Sequence, residues 1–350
     1  MKRSWKMHGS ERRISRRTFA RLAGSGLAAA CLPRARSVAQ GDSAPELALA
    51  RNAERGAAYR TAVDLLGAID FAGRDIYLKA SFNSPHPFPA TTHPDTLRLV
   101  AETLRKYNCR GITLIERSGM GDTADIWNRL GISSLARELD MRLVALERLA
   151  PEDWRKVELP GMNWANGVEV PRFLDRETFV VQICNLKTHR FGGIFSASLK
   201  NAIGLVAKFG QVQAGYNYMQ ELHSSPLQGS LIAEVNLVYE PKLIIMDAME
   251  VFVSGGPESG ELAAPGVFIA GSNRVAMDAA GVALLRLHTA GPAEGLLSRP
   301  VFEQEQLKRS LELGLGEEDI QNLRFLTADQ PSDRLASQLE AILSEPAKAK

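Results

Sequence analysis

Apolar positions recur along this chain with two different periods, and the alternation between them outlines a layered fold. Short apolar runs at 75–82, 111–116, 142–146, 179–184, 243–247 and 266–270 have the length and the Val/Ile content of buried strands. Between them the spacing turns helical. From Asp95 to Lys106 it puts Leu97, Val100, Ala101 and Leu104 on one face. Residues 123–139, 196–206, 216–239 and 275–287 also read as helical. A short strand at 324–326 and an amphipathic helix at 332–343 close the chain. Strands that are apolar throughout and alternate with helices predict an α/β fold, a mostly parallel sheet with helices on both faces.

Two stretches break this rhythm. Residues 40–74 are rich in alanine, and Glu46 to Leu66 predicts one or two helices, an N-terminal helical segment ahead of an α/β domain at 75–345. Residues 151–178 carry Trp154, Trp164, Pro160 and Pro171 with little periodicity, and are expected as an irregular insertion packed over the sheet.

Charge separates the N-terminus from the rest. Residues 1–39 hold ten Lys/Arg against Glu11 alone, a net of +9; the whole chain carries +2, so the remaining 311 residues carry −7. An acidic body gives no electrostatic case for nucleic acid or an anionic membrane as partner. Ser15-Arg16-Arg17-Thr18-Phe19 is a twin-arginine sequence. The short apolar run Leu22–Leu32 and the small residues of Ser37-Val38-Ala39 follow it, which predicts a signal peptide at 1–39 and export to the periplasm by the twin-arginine route. Membrane contact is then limited to export, or to a lipid on Cys31 if Leu27–Cys31 is cleaved as a lipoprotein site instead. Cleavage after Ala39 leaves only Cys109 and Cys184, too few ligands for an iron–sulfur cluster or a cysteine-rich zinc site.

In parallel sheets ligands sit beyond the carboxyl ends of the strands, which places Lys79, His86, His93, Glu116 and Arg117 on the ligand-facing edge. The densest chemistry is at 180–206. A buried strand there leads to a Lys187-x-His189 turn, a Gly192-Gly193 hinge and a helix carrying Lys200 and Asn201. A glycine-rich entry to a helix offers free N–H groups, and Lys187 and Lys200 add positive charge, an anion-binding arrangement. The helix face with Ser196, Lys200, Asn201, Gly204 and Lys208 would equally suit an ordinary solvated surface. His189 fits a general acid/base, a metal ligand or a structural hydrogen-bonding role. His86, His93, His189 and Asp247 together could hold a single divalent metal, although no pair has diagnostic spacing. The 254–260 loop lacks the spacing of a dinucleotide fingerprint. Asp278 reads as first-turn charge on its own helix.

Leu186-Lys187-Thr188-His189 and Ser198-Leu199-Lys200-Asn201-Ala202-Ile203-Gly204 resemble the central motif of the family named domain of unknown function 362. The strand ending in Asp247, Gly255–Gly260 and Asn273–Asp278 are similar to its later blocks. Lys79 with Asn83, and Thr91-Thr92-His93-Pro94, are similar to its first. The resemblance spans roughly 75–287. It implies a member without the iron–sulfur cysteines that other members carry, and it brings no activity with it.

The first expectation is an enzyme acting on a small anionic substrate. Lys187 and Lys200 would hold the anion, His189 would move protons, and Asn201 and Asp247 would orient them. Lys79, Asn83, His93, Gly192 and Gly193 would bind substrate. The alternatives are a non-catalytic binder of an anionic ligand or cofactor, and a histidine-based metal-dependent hydrolase.

Overall fold

The computed structural model describes residues 45–345 except 192–193, 290–296, 298 and 317–318. The expected signal peptide, Cys31, Gly192 and Gly193 lie outside the described residues.

The chain opens with β1 (Glu46–Arg51), α1 (Arg55–Leu65), β2 (Asp75–Lys79), α2 (Pro94–Lys106) and β3 (Gly111–Glu116). It continues through α3 (Thr123–Arg129), α4 (Ile132–Glu138), β4 (Arg142–Ala145), β5 (Trp154–Val157), β6 (Val168–Pro171) and β7 (Val180–His189). Next come β8 (Ile194–Ser196), α5 (Ser198–Asn201), α6 (Tyr218–Ser224), α7 (Gln228–Val235), β9 (Pro241–Gly255) and β10 (Gly260–Ala263). The chain ends with β11 (Val267–Gly271), α8 (Arg274–His288), α9 (Glu305–Glu312), β12 (Arg324–Leu326) and α10 (Gln330–Leu343).

Ten of these strands form one sheet in the order β12-β1-β11-β9-β7-β2-β3-β4, with β10 beside β9 and β8 beside β7. The run β9-β7-β2-β3-β4 is parallel throughout, and β11 joins it antiparallel. Because side chains alternate along a strand, β7 feeds two cores. Val181 and Ile183 pack with Leu97 of α2 and Ala62 of α1 on one face, while Cys184 and Leu186 pack with Leu231 of α7 and Val282 of α8 on the other. Both faces are thus covered, as the apolar strands require. Cys109 and Cys184 are both buried free thiols.

Two expectations change and one loop gains a definite form. Residues 46–51 form a strand, not a helix: β1 lies between β11 and β12, and the sheet buries Leu47–Ala50 completely enough to override the helical preference of an Ala/Leu run. The helix begins only at Arg55, where the Glu54 carboxylate accepts from the Gly56 and Ala57 amides. In the 151–178 stretch β5 and β6 pair as a small antiparallel sheet, with Trp154 and Trp164 buried and the Trp164 indole donating to Leu231 O. The glycine-rich 254–260 segment is the end of a hairpin: β9 runs to Gly255 and returns as β10.

Candidate functional site

Where β2, β3 and β7 end, the structure holds a cavity of about 500 Å³. Its floor is a charged pair. Lys79 closes β2 and donates from Nζ to Glu116 Oε2 at 3.0 Å, Asn201 Oδ1 at 2.7 Å and Ala80 O at 2.6 Å. Glu116 closes β3 and also accepts from the Phe82 amide (2.8 Å) and the Arg117 amide (2.9 Å). Both side chains are almost wholly buried. Burial therefore pulls the Lys79 ammonium down and the Glu116 carboxyl up from their ordinary ranges, and their mutual attraction opposes the shift. Asn201 is a bracket, since its Nδ2 donates to Ile183 O of β7 while its Oδ1 holds Lys79.

Arg117 follows Glu116 and is buried among carbonyls. It donates through Nε to Val206 O (2.9 Å) and through Nη2 to Ile203 O (2.5 Å), which ties the turn after α5 over the strand ends. The Arg117 amide donates to Gly204 O. Gly204 is glycine for a reason of space: a Cβ there would stand 2.1 Å from Glu116 Oε1 and 2.8 Å from Lys79 Nζ.

Lys187 and His189 come from β7, which extends five residues beyond the predicted strand, so both sit on the strand and not on a turn. Its last residues pair with β8, and that hairpin replaces the expected direct entry into a helix. Lys187 is 3% exposed; its Nζ donates to Pro89 O at 2.9 Å and Asn185 O at 3.4 Å. Burial pulls it down to about 7. Lys200 faces the same cavity and is also drawn down to about 7, by burial and then by the Lys187 charge. The His189 ring has a buried Nδ1 without a hydrogen-bond partner among the described residues. Burial, then Lys200 and Lys187, push it down to about 2, so the imidazole is neutral.

The cavity thus gathers Lys79, Asn83, Lys187, His189, Lys200 and Asn201. Asn83 fixes its rim: its Oδ1 accepts from the Gly119 amide at 2.9 Å and its carbonyl from Met120. Two candidates fall elsewhere. Asp247 is fully buried on the sheet face that carries Ile245 and Met249. There it pairs with Arg55 of α1 and accepts from Thr96 Oγ1 (2.5 Å) and the Met249 amide (3.1 Å). It fastens the first two helices to the sheet, and it misses the cavity because β9 runs on to Gly255 and leaves Asp247 mid-strand, not at a carboxyl end. His93 is the N-cap of α2, with Nδ1 accepting from the Asp95 amide at 3.1 Å and its ring edge-on to Phe88. His86 bonds to Ser84, and among the described residues no three His, Cys, Asp or Glu side chains are grouped to hold a metal.

The first amides of α5 are taken up within the fold. Ser198 and Leu199 donate their amides to Asp278 Oδ1 at 2.7 and 3.1 Å, and Gln306 Nε2 donates to its Oδ2 at 2.7 Å. Asp278 therefore caps α5 from α8 rather than balancing its own helix. Sequence reasoning also missed the wall formed by α6, which presents Met219, Leu222 and His223. The i, i+3, i+4 spacing of these three was the available signal.

Fold and site together define an α/β protein with a cationic cavity at the carboxyl ends of its parallel strands. The chain belongs to the family described as Domain of unknown function (DUF362), whose sequence profile matches residues 76–283. No curated protein and no solved structure matches it.

Proposed function

We propose that this protein is an enzyme acting on a small organic anion, bound with its charged group against Lys187 and Lys200. One observation carries the reading. Among the described residues that line the cavity, Lys79, Arg117, Lys187 and Lys200 stand against Glu116 as the one carboxylate. Glu116 is committed to Lys79, so the pair above it has its charge suppressed by burial until an anion arrives. Lysines perturbed by burial in a concave site mark a candidate functional site.

The rest of the lining indicates what the anion carries. Met120, Phe191, Ile203, Met219 and Leu222 give the cavity apolar walls, and Met120 and Phe191 are 45% and 48% exposed at its rim. A carboxylate or phosphate on an apolar body suits charge at one end and desolvation at the other. Thermal unfolding in the presence of phenylacetate, phenyl phosphate and uncharged benzyl alcohol tests this. The two anions are expected to raise Tm in the wild type and not in Lys200→Met; equal shifts with benzyl alcohol would refute the charge requirement. A non-catalytic binder shares these contacts and is separated from an enzyme by turnover alone.

We further propose export by the twin-arginine route, supported by Arg16-Arg17 and the small residues ending at Ala39. N-terminal sequencing of protein recovered from the periplasm should begin at Gln40. A form lipidated at Cys31 would contradict cleavage there. Among the described residues no helix is long and apolar enough to cross a membrane.

A further inference from the structure

The two best-defined lysines of the cavity are built differently, and the difference assigns them different chemistry. Lys79 has three acceptors for three N–H bonds, one of them a carboxylate, which is the full complement of an ammonium. Lys187 has two acceptors among the described residues, Pro89 O and Asn185 O, and both are uncharged carbonyls. Two carbonyls satisfy the two N–H bonds of a neutral amine and leave its lone pair uncommitted. Lys187 also lines the cavity, as do His189 and the apolar side chains of Met219 and Leu222.

We infer that Lys187 is a covalent nucleophile, forming an imine with the carbonyl carbon of an anionic carbonyl compound of the 2-oxo acid class. This rests on the anion site proposed above: when the anion carries a 2-oxo group its carboxylate stays on Lys200, and the neutral fraction of Lys187 meets the adjacent carbonyl carbon. The Nζ lone pair attacks the carbonyl carbon, and the carbonyl π pair moves onto oxygen, giving a carbinolamine after proton transfer from nitrogen to oxygen. Its hydroxyl leaves as water, taking a second proton, as the C=N bond forms. Nitrogen has then lost both hydrogens and the carbonyl its oxygen, so amine plus ketone gives imine plus one water. No oxidant, reductant or metal is consumed. When the imine takes up a proton, its single N–H has Pro89 O as a ready acceptor at the 2.9 Å position. Desolvation of a lysine in an apolar pocket is an established way to keep such an amine neutral, and Lys187 has that environment.

The test is reductive trapping. Wild-type mature protein is incubated with phenylpyruvate and cyanoborohydride near neutral pH, then digested and mapped by mass spectrometry. One reduced phenylpyruvate adduct is expected on Lys187, at more than roughly tenfold the labelling of the exposed Lys308. Lys187→Met should lose it. Mapping on the wild type is decisive by itself, so a variant that fails to fold does not obscure the outcome. Adducts spread over exposed lysines, or placed on Lys79 or Lys200, or absent, overturn the assignment. Phenyllactate, which keeps the carboxylate and lacks the ketone, separates the two claims. If it raises Tm while phenylpyruvate leaves no adduct, the anion site stands and the nucleophile falls. If neither compound stabilises or labels the protein, both fall.

Discussion

The Glu116 carboxylate occupies the space in which a side chain at Gly204 would begin, 2.1 Å from where its Cβ would stand. The glycine is therefore fixed by the buried pair beneath it and not by its own backbone angles. Gly204→Ala is expected to push Glu116 off Lys79 and destabilise the fold by about 1–3 kcal/mol, the usual cost of overpacking a tight site. Urea unfolding measures it, and a variant as stable as wild type would show that the floor can yield.

Lys79 and Lys187 should respond oppositely to the same change. Lys79→Met strands the buried Glu116, so a loss of about 3–5 kcal/mol is expected, partly recovered by adding Glu116→Gln. Lys187→Met removes an amine with no bonded carboxylate, and stability is expected to hold or rise while anion binding is lost. Urea unfolding of the wild type, both single variants and the double variant decides it; equal losses from both single changes would contradict the division of roles.

Anion affinity should fall as pH rises. Lys187 and Lys200 in the empty cavity lie near 7 against an ordinary 10.5, and a bound anion favours their charged forms. Binding near pH 8 must then draw protons from solution, and affinity weakens progressively above about pH 7. Calorimetry in buffers of different ionisation enthalpy reads the proton count directly. Zero uptake would mean that the lysines stay charged without ligand. The same depressed values make these two residues contribute to stability above 10.5 and lose that contribution as pH falls through about 7.

Asp278 works with the opposite sign. Burial raises it to about 7, so the folded state holds its proton more tightly than the unfolded chain does. Its contribution is complete below the ordinary value of 3.8 and is lost as pH rises through about 7. Asp278→Asn should flatten this part of the profile, seen as a wild-type minus variant Tm difference that shrinks or reverses between about pH 5 and pH 7.5. A constant difference would place the carboxylate's titration outside that window.

Most of the sheet was legible because buried parallel strands leave uninterrupted apolar runs, as in 111–116 and 243–247. β1 was not, since Leu-Ala-Leu-Ala is a good helix by propensity and becomes a strand only between β11 and β12, far away in sequence. The site divided in the same way. Lys187, Lys200 and Asn201 could be placed by a strand and the turn that follows it. Asp247 reads as the end of a strand, yet β9 runs on to Gly255, which leaves it mid-strand beside Asn185, where Arg55 and Thr96 hold it. His93 looked like chemistry and is a helix cap. Asp278 lies on α8, 80 residues from the Ser198 amide it binds, and nothing local announces the bond.

On the reading proposed above, the cavity above the Lys79–Glu116 pair receives an organic anion at Lys187 and Lys200. A crystal structure of the mature protein soaked with phenylacetate tests it most directly. A carboxylate is expected within hydrogen-bond distance of the Lys200 ammonium, with the ring against Met219 and Leu222. A cavity that stays empty at saturating ligand, or a carboxylate bound away from both lysines, would contradict it.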